Sequence, residues 1–232
     1  MKISIAIPAY KYNEECPLFL NELLKSIQKQ DYSNYEVVVS DHSENNDYLN
    51  ILNEYKGTMD LKYLKNKLNV GNISSNINNA IKNCSGDVIK VMCQDDSFYS
   101  ETALNKIYGI LKDNPEKKWG ALGFIHNNTR EGNIIKNPLI PNLKTTIGCP
   151  STSFFIRDKK NLDLYDENLY LLLDKDFHDR LFIKYGDPLI IKDISILIRM
   201  HGNNSQFKLE SKRSSDLLII NNKKIHEHRR KN

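Results

Sequence analysis

Isoleucines alternate with polar or small residues at the start of the chain, Ile3, Ile5 and Ile7 against Lys2, Ser4 and Ala6. That period of two predicts a strand, ended by Pro8. Ala9 to Cys16 is polar and aromatic and reads as a loop at the strand's carboxyl end. Pro17 suits the first turn of a helix, and Leu20, Leu23, Leu24 and Ile27 share one helical face, so a helix is expected from Pro17 to Gln30. Glu36 to Ser40 reads as a second strand around the apolar run Val37 to Val39. Asp47 to Tyr55 reads as a helix stopped by Gly57. Leu61 to Leu64 reads as a third strand. Gly71 to Cys84 reads as a helix with Ile73, Ile77, Ala80 and Ile81 on one face, closed by Gly86. A strand then follows from Val88, and Glu101 to Lys112 forms another helix. The alternation predicts an α/β fold with a mostly parallel sheet and right-handed crossovers.

The second half is less regular. Trp119 to His126 and Ser151 to Ile156 are expected as strands, and Asp174 to Tyr185 as a helix. Leu189 to Ile198 reads as a strand interrupted by Lys192 and Asp193. Asn127 to Lys144 is polar, holds Gly132, Pro138 and Pro141, and reads as a loop. No linker separates two domains. The expectation is one domain over 1–220, with a ligand-binding half over 1–98, an acceptor-side half over 99–220, and a basic tail over 221–232.

The most informative stretch is VIKVMCQDDSF, Val88 to Phe98. Val88, Ile89, Val91 and Met92 suit a strand covered on both faces. The apolar run then gives way to Asp95 and Asp96. Ligands of open α/β sheets bind outside the carboxyl ends of strands. Two adjacent carboxylates there repel each other unless a divalent cation or a Lys/Arg pair holds them. The bland alternative is a solvated turn that caps a helix. Ala9 to Glu15, Asp41 to Ser43 and Asp95 to Ser97 lie at strand ends, and a parallel sheet puts all three on one rim. Pro8, Ala9 and Tyr10 follow the first strand where a GxGxxG or GxxxxGK[ST] loop would stand, which removes the main support for dinucleotide and P-loop readings.

Composition narrows the classes further. The 232 residues are 40% hydrophobic and 27% charged, enough for a globular core. Net charge is +4, small and not interleaved with aromatics, so no nucleic-acid partner is expected. Cys16, Cys84, Cys93 and Cys149 have no zinc-like or CxxC spacing, which disfavours a disulfide framework or structural zinc. No apolar stretch approaches the ~20 residues of a membrane span, and no leader is visible. A cytoplasmic location is expected, with peripheral membrane contact through the basic tail.

With these residues in view, the chain resembles the family-two glycosyltransferases, which have the GT-A nucleotide-sugar-binding fold. The resemblance rests on IAIPAY (Ile5 to Tyr10), the stretch from Ser26 to Asp47, NVG (Asn69 to Gly71), SGDVIKVMCQDD (Ser85 to Asp96), LLDKDFHDRL (Leu172 to Leu181) and IRMHGNNS (Ile198 to Ser205). They occur in family order along nearly the whole chain. The resemblance implies that Pro8, Ala9 and Tyr10 wrap the nucleobase, that Asp41 reads the base or ribose, and that Gly71 and Asn76 lie near the nucleotide. Asp95 matches the last aspartate of the family's DxD and Asp96 the acid after it, with Cys93 standing at the first position. His201 matches a late histidine near the metal. Asp174 matches the catalytic base, with Leu173 where the family often has Glu and Asp176 as the reserve candidate.

The implied reaction is inverting transfer of a sugar from a nucleotide-diphosphate donor to a saccharide or lipid-linked acceptor hydroxyl. A Mn²⁺ or Mg²⁺ on Asp95 and Asp96 would neutralise the leaving diphosphate. The setting implied is bacterial surface polysaccharide or glycolipid assembly. Two other readings stay open: a sugar nucleotidyltransferase, which needs a Gly-rich basic loop after the first strand, and a non-catalytic binding member of the fold, which Cys93 and Leu173 would suit.

Overall fold

The first strand, β1 (Ile3–Ala9), sits between two parallel neighbours, β2 (Tyr35–Asp41) and β4 (Val88–Val91), and every one of its residues is buried. In the computed structural model the described residues are 1–128, 132–136, 147–200 and 215–220. Ile3, Ile5, Ile7 and Ala9 point to one apolar cluster, with Leu20, Leu23, Leu24 and Ile27 of helix α1 (Cys16–Gln28) and Leu104, Ile107 and Leu111 of α4 (Ala103–Asp113). Ala6 points to the other, with Ile77, Ala80 and Ile81 of α3 (Ile73–Lys82) and Phe177 and Leu181 of α5 (Leu173–Tyr185). The alternation of β1 thus feeds two cores, one on each face of the sheet. Helix α2 (Asp47–Glu54) adds Tyr48 and Leu52 to the first.

β1 runs through Pro8 rather than ending there. The Lys2 carbonyl accepts from Asp87 and Val88 and the Ala6 carbonyl from Met92 just past β4, whereas Ala9 accepts from His42 beyond β2, so the even residues face β4. Pairing with β4 stops at Ala6–Val91. The absent N–H of Pro8 therefore falls where no ladder bond was available to lose.

β3 (Leu61–Lys65), β2, β1 and β4 are neighbours in that order, and the sheet continues beyond β4 through strands of the second half. The first four strands pair in parallel. Crossovers run outward from β1 to β2 and β3, and the chain then returns to place β4 on the other side of β1. That reversal makes the carboxyl ends of β1 and β4 the switch point at which such sheets form a crevice.

Beyond β4, β8 (Ser153–Ile156) pairs antiparallel to β4 and to β6 (Trp119–Asn128), and β9 (Leu189–Arg199) runs parallel to β6. The two-residue β5 (Ser97–Phe98) pairs antiparallel with β9, a strand too short to leave a periodic signal. Residues 150–152 form a 3-10 turn, so the strand expected from Ser151 begins at Ser153. The loop expected from Asn127 is in part a hairpin: β6 reaches Asn128 and pairs with β7 (Gly132–Lys136). Asn and Gly at its tip gave it a loop's composition, while Ile134 and Ile135 supply strand propensity. The rest of that loop and the tail 221–232 lie outside the described residues.

β9 continues through Lys192 and Asp193, where the pairing with β6 shifts register on either side of Gly123. A Cβ at Gly123 would stand 2.4 Å from the Lys192 carbonyl oxygen, so only glycine admits this irregularity. Among the described residues no helix is long and apolar enough to cross a membrane.

Candidate functional site

At the β1–β4 switch point the two strand ends are joined by the buried side chain of Gln94. Its Oε1 accepts from the Tyr10 backbone N–H (2.9 Å), and its Nε2 donates to the Tyr10 carbonyl (2.7 Å). The hydroxyl of buried Tyr48 donates to the same Oε1 at 2.8 Å. Asn76 donates to the Ala9 carbonyl at 2.9 Å and accepts from Ser40 Oγ at 2.6 Å. The Lys11 N–H donates to Ser43 Oγ at 2.8 Å. The bend Pro8-Ala9-Tyr10 is thereby fixed on both sides, and the Tyr10 ring stands exposed at its tip. Asn76 holds that bend from inside the fold.

Asp41 closes β2 with a fully buried carboxylate. Its Oδ2 accepts from the Tyr63 hydroxyl (2.8 Å) and Lys65 Nζ (3.1 Å), and its Oδ1 from the Ser43 N–H (2.7 Å). A carboxylate offers about four acceptor sites, so three donors leave room for about one more. Next to it, burial pushes the His42 pKa down, and its Nε2 lies 2.8 Å from the donating Asn66 amide, as a neutral imidazole requires. Gly71 is exposed and has a backbone reason of its own: φ of +86° in the turn that leads to Asn72, which caps α3 through the Ser75 N–H at 2.9 Å. Asn69 and Asn72 of that turn bond to Glu167, tying it to the chain before α5.

Cys93, Asp95 and Asp96 follow β4. One ligand atom from each, the thiol sulfur and a carboxylate oxygen apiece, lies within 4.8 Å of the others. The Asp96 N–H donates to the Cys93 carbonyl at 3.1 Å, the bond that folds this turn. Two features differ from a solvated turn that caps a helix: Asp96 is buried, and the N-cap position of the next helix is held by Thr102. Asp96 Oδ1 accepts from the Arg199 N–H at 3.1 Å, and Cys149 Sγ is 3.9 Å from Oδ2. Burial, followed by the charge of Asp95, pushes the Asp96 carboxyl up to about 7. Arg199 donates through Nε to the Asp95 carbonyl (3.1 Å), pairs with Glu22 and lies over the Phe19 ring. Beneath the turn, Lys90 is fully buried, with Nζ donating to the carbonyls of Ser151 and Val91. Burial pushes its pKa down to about 7 against the pull of Cys149, Asp96 and Cys93. Two acids and a thiol are thus concentrated at one mouth, a donor set that fits a divalent cation.

Asp174 stands in the first turn of α5, partly buried. Its Oδ1 accepts from the Lys175 N–H at 2.7 Å. Burial pushes its carboxyl up to about 6, against that hydrogen bond. Its charge acts on Cys149 and Tyr165, and both of these also sense Cys93. Asp174 and Cys93 therefore both lie within electrostatic range of Cys149 and Tyr165. Asp176 is instead engaged by Arg180 at 2.8 Å, and Leu173 is in the core. His201 lies outside the described residues.

Periodicity gave no sign of Gln94, Lys90 or Asp216. Asp216, in the helical turn 215–220, is fully buried and accepts from the N–H groups of Tyr170 (3.1 Å), Leu171 (2.6 Å) and Leu172 (2.9 Å). The C-terminal segment thus fixes the entry to the helix that carries Asp174. Replacing Asp216 by Ala strands these donors, and each unsatisfied group costs about 1–3 kcal/mol. The urea midpoint should fall with an unchanged slope; an unchanged midpoint would show that water replaces the carboxylate freely.

The model for the family described as "Glycosyl transferase family 2" matches residues 4–161. The "Poly(ribitol-phosphate) beta-N-acetylglucosaminyltransferase TarP" of Staphylococcus aureus is 28% identical over 151 residues, 61% of this chain and 45% of that protein. The crystal structure of S. aureus TarS 1-349 in complex with UDP-GlcNAc superposes with a TM-score of 0.73 at 18% identity, covering 89% of this chain and 61% of that one. A mannosyltransferase from Pyrobaculum calidifontis in complex with GDP-Man and Mn²⁺ superposes with a TM-score of 0.71 at 14% identity, covering 97% and 64%. The chain spans less than half the length of TarP. At these identities the structural matches establish the shared architecture, that of the GT-A glycosyltransferases.

Proposed function

This chain belongs to glycosyl transferase family 2, and from that premise we propose that it moves a sugar from a nucleotide-diphosphate sugar to an acceptor hydroxyl with inversion. The observation that supports this reading is the cluster of Cys93, Asp95 and Asp96 at the carboxyl end of β4 beside the β1–β4 crevice, with Asp174 in electrostatic range of Cys149 next to it. In this reading the base lies against Pro8, Ala9 and Tyr10, with Asp41, Asn76 and Gly71 shaping its side of the pocket. Asp95 and Asp96, with His201, hold a divalent cation, which supplies neutralisation of the leaving diphosphate when bound. Asp174 accepts the proton of the attacking hydroxyl. A carboxyl pushed up to about 6 by burial is a stronger base than an exposed one and is still ionised at neutral pH.

Residues 1–98 hold the donor in this scheme and residues 99–220 receive the acceptor. The acceptor belongs to a bacterial surface polysaccharide or glycolipid; the name of TarP favours a polyol-phosphate polymer. The basic tail places the enzyme against anionic lipid at the cytoplasmic face.

Differential scanning fluorimetry with UDP, GDP, UDP-sugars and GDP-sugars, each with and without Mn²⁺, tests the donor site. A ligand at 100 times its Kd adds about 2.7 kcal/mol to native stability, so the correct nucleotide should raise Tm by several degrees. No shift with any of them would sink the assignment. Cys93 and Leu173 favour a binding member without turnover as the second reading. Slow donor hydrolysis that releases nucleoside diphosphate excludes it, and release of pyrophosphate would point to a nucleotidyltransferase.

A further inference from the structure

Resting on the nucleotide-sugar reading of this cleft, we propose that its cation site is thiolate-bearing: Cys93 Sγ, with the carboxylates of Asp95 and Asp96, selects a thiophilic divalent cation such as Zn²⁺ or Co²⁺ over Mg²⁺. The three ligand atoms lie within 4.8 Å of one another on a single turn. Around a tetrahedral ion, with metal–oxygen and metal–sulfur distances of about 2.0–2.3 Å, ligand atoms stand roughly 3.5 Å apart. A contraction of about an ångström closes the set. Cys93, Asp95 and Asp96 leave a fourth position for His201, and an oxygen of the donor diphosphate would enter by expansion to five ligands, as zinc sites allow.

Mg²⁺ asks for near-octahedral oxygen and keeps its waters, and a sulfur in the first ligand position serves it poorly. The turn is held from behind by the Cys93 N–H donating to Ser151 Oγ at 2.9 Å, so the thiol has a fixed origin. A second observation points to an occupant. The Tyr165 hydroxyl is buried with no hydrogen bond of ordinary geometry among the described residues, and its neighbours include the Ser153 hydroxyl and the Cys93 thiol, which burial keeps protonated until a cation displaces its proton. A buried hydroxyl without such a bond indicates a water or ligand at its side, and a water on a Cys93-bound cation would supply one. Tyr165 is fixed in that orientation by Asn78, which bonds both its N–H and its carbonyl at 2.8 and 2.9 Å, and by stacking on Phe177 at 4.0 Å.

The test uses the full chain, reduced, titrated with Co²⁺ alone. The expected result is a near-ultraviolet thiolate-to-cobalt charge-transfer band that saturates at one equivalent. Zn²⁺ should erase it, and a hundredfold excess of Mg²⁺ should not. Cys93→Ser should lose the band. Cys149→Ser should keep it, since Cys149 lies beside Asp96 and outside the ligand group. Cys93→Asp should lose the band and gain Mn²⁺ and Mg²⁺ affinity by at least about tenfold.

Cobalt uptake without the band would overturn the proposal, as uptake at His226 and His228 of the tail alone would give. So would a band that survives Cys93→Ser, or Mg²⁺ displacing Co²⁺ at comparable concentration. The wild-type titration decides the matter even if a variant fails to fold. The band without nucleotide-sugar turnover would keep the site and remove the transferase. Turnover with Mg²⁺ and no band would do the reverse.

Discussion

Asp174→Asn will bind a sugar nucleotide as the wild-type chain does and transfer the sugar roughly 10²–10⁴-fold more slowly. The amide keeps the shape of the carboxylate and can still accept the Lys175 N–H through its oxygen, so α5 keeps its first turn. What is lost is the ability to take a proton from the acceptor. Because burial raises the Asp174 carboxyl to about 6 from its ordinary 3.8, the wild-type rate should fall as pH drops through about 6, where the base becomes protonated. The mutant should lose that acid limb. The linkage sign supplies an internal control. A carboxyl raised in the folded state binds its proton more tightly there than in the unfolded chain. The ionised form therefore costs stability as pH rises from about 4 through about 6. A neutral amide escapes that cost, so Asp174→Asn should melt no lower than wild type at pH 8. Full activity in this variant would remove Asp174 from its role. A collapse of Tm alongside the rate would show that α5 needs the charge.

The second large effect is expected at Asp95. Asp95→Asn should slow release of nucleoside diphosphate roughly 10²–10³-fold, the several kcal/mol that a cation supplies to a leaving oxyanion. Added cation should recover part of this loss. Asp95 is a cleaner site for the test than Asp96, which is buried and accepts the Arg199 N–H that fastens the end of β9. The variant also has a readout independent of turnover. The charge of Asp95 is one of the two forces that raise Asp96, so its removal should bring the Asp96 carboxyl down from about 7, visible as a shifted titration of its ¹³C carboxyl resonance. A rate and cation dependence unchanged in Asp95→Asn would remove Asp95 as a ligand, and a rate indifferent to added or chelated cation would take the cation out of the mechanism.

The first hundred residues were readable because β1, β2 and β4 are buried on both faces and the helices carry single apolar stripes, so most elements announced their own period. What escaped has a common character. Pro8 continues its strand because a particular neighbour ends early, β5 exists only as a partner of β9, and the β6–β7 hairpin is written in polar residues at its tip. The acidic side chains at the rim were visible as breaks in apolar runs. Their supports were not. Lys90 interrupts an apolar strand read as covered on both faces, and nothing local shows that its ammonium is fully buried beneath the acidic turn. Gln94 lies between two candidate ligands and looks like a spacer. Asp216 acts on backbone 44 to 46 residues away. Contacts of that kind leave no local pattern, since both partners are ordinary in their own neighbourhoods.

The amide of Gln94 grips Tyr10 from the middle of the turn that bears the thiol and the two acids. It therefore behaves as a rigid lever with its fulcrum at Tyr48. Drawing the flanking side chains inward would shift the Pro8-Ala9-Tyr10 bend with them. If the cleft takes a nucleotide sugar as proposed, both ends of the donor would be gauged by one moving part, and a shortened side chain at position 94 would let each end settle without regard to the other.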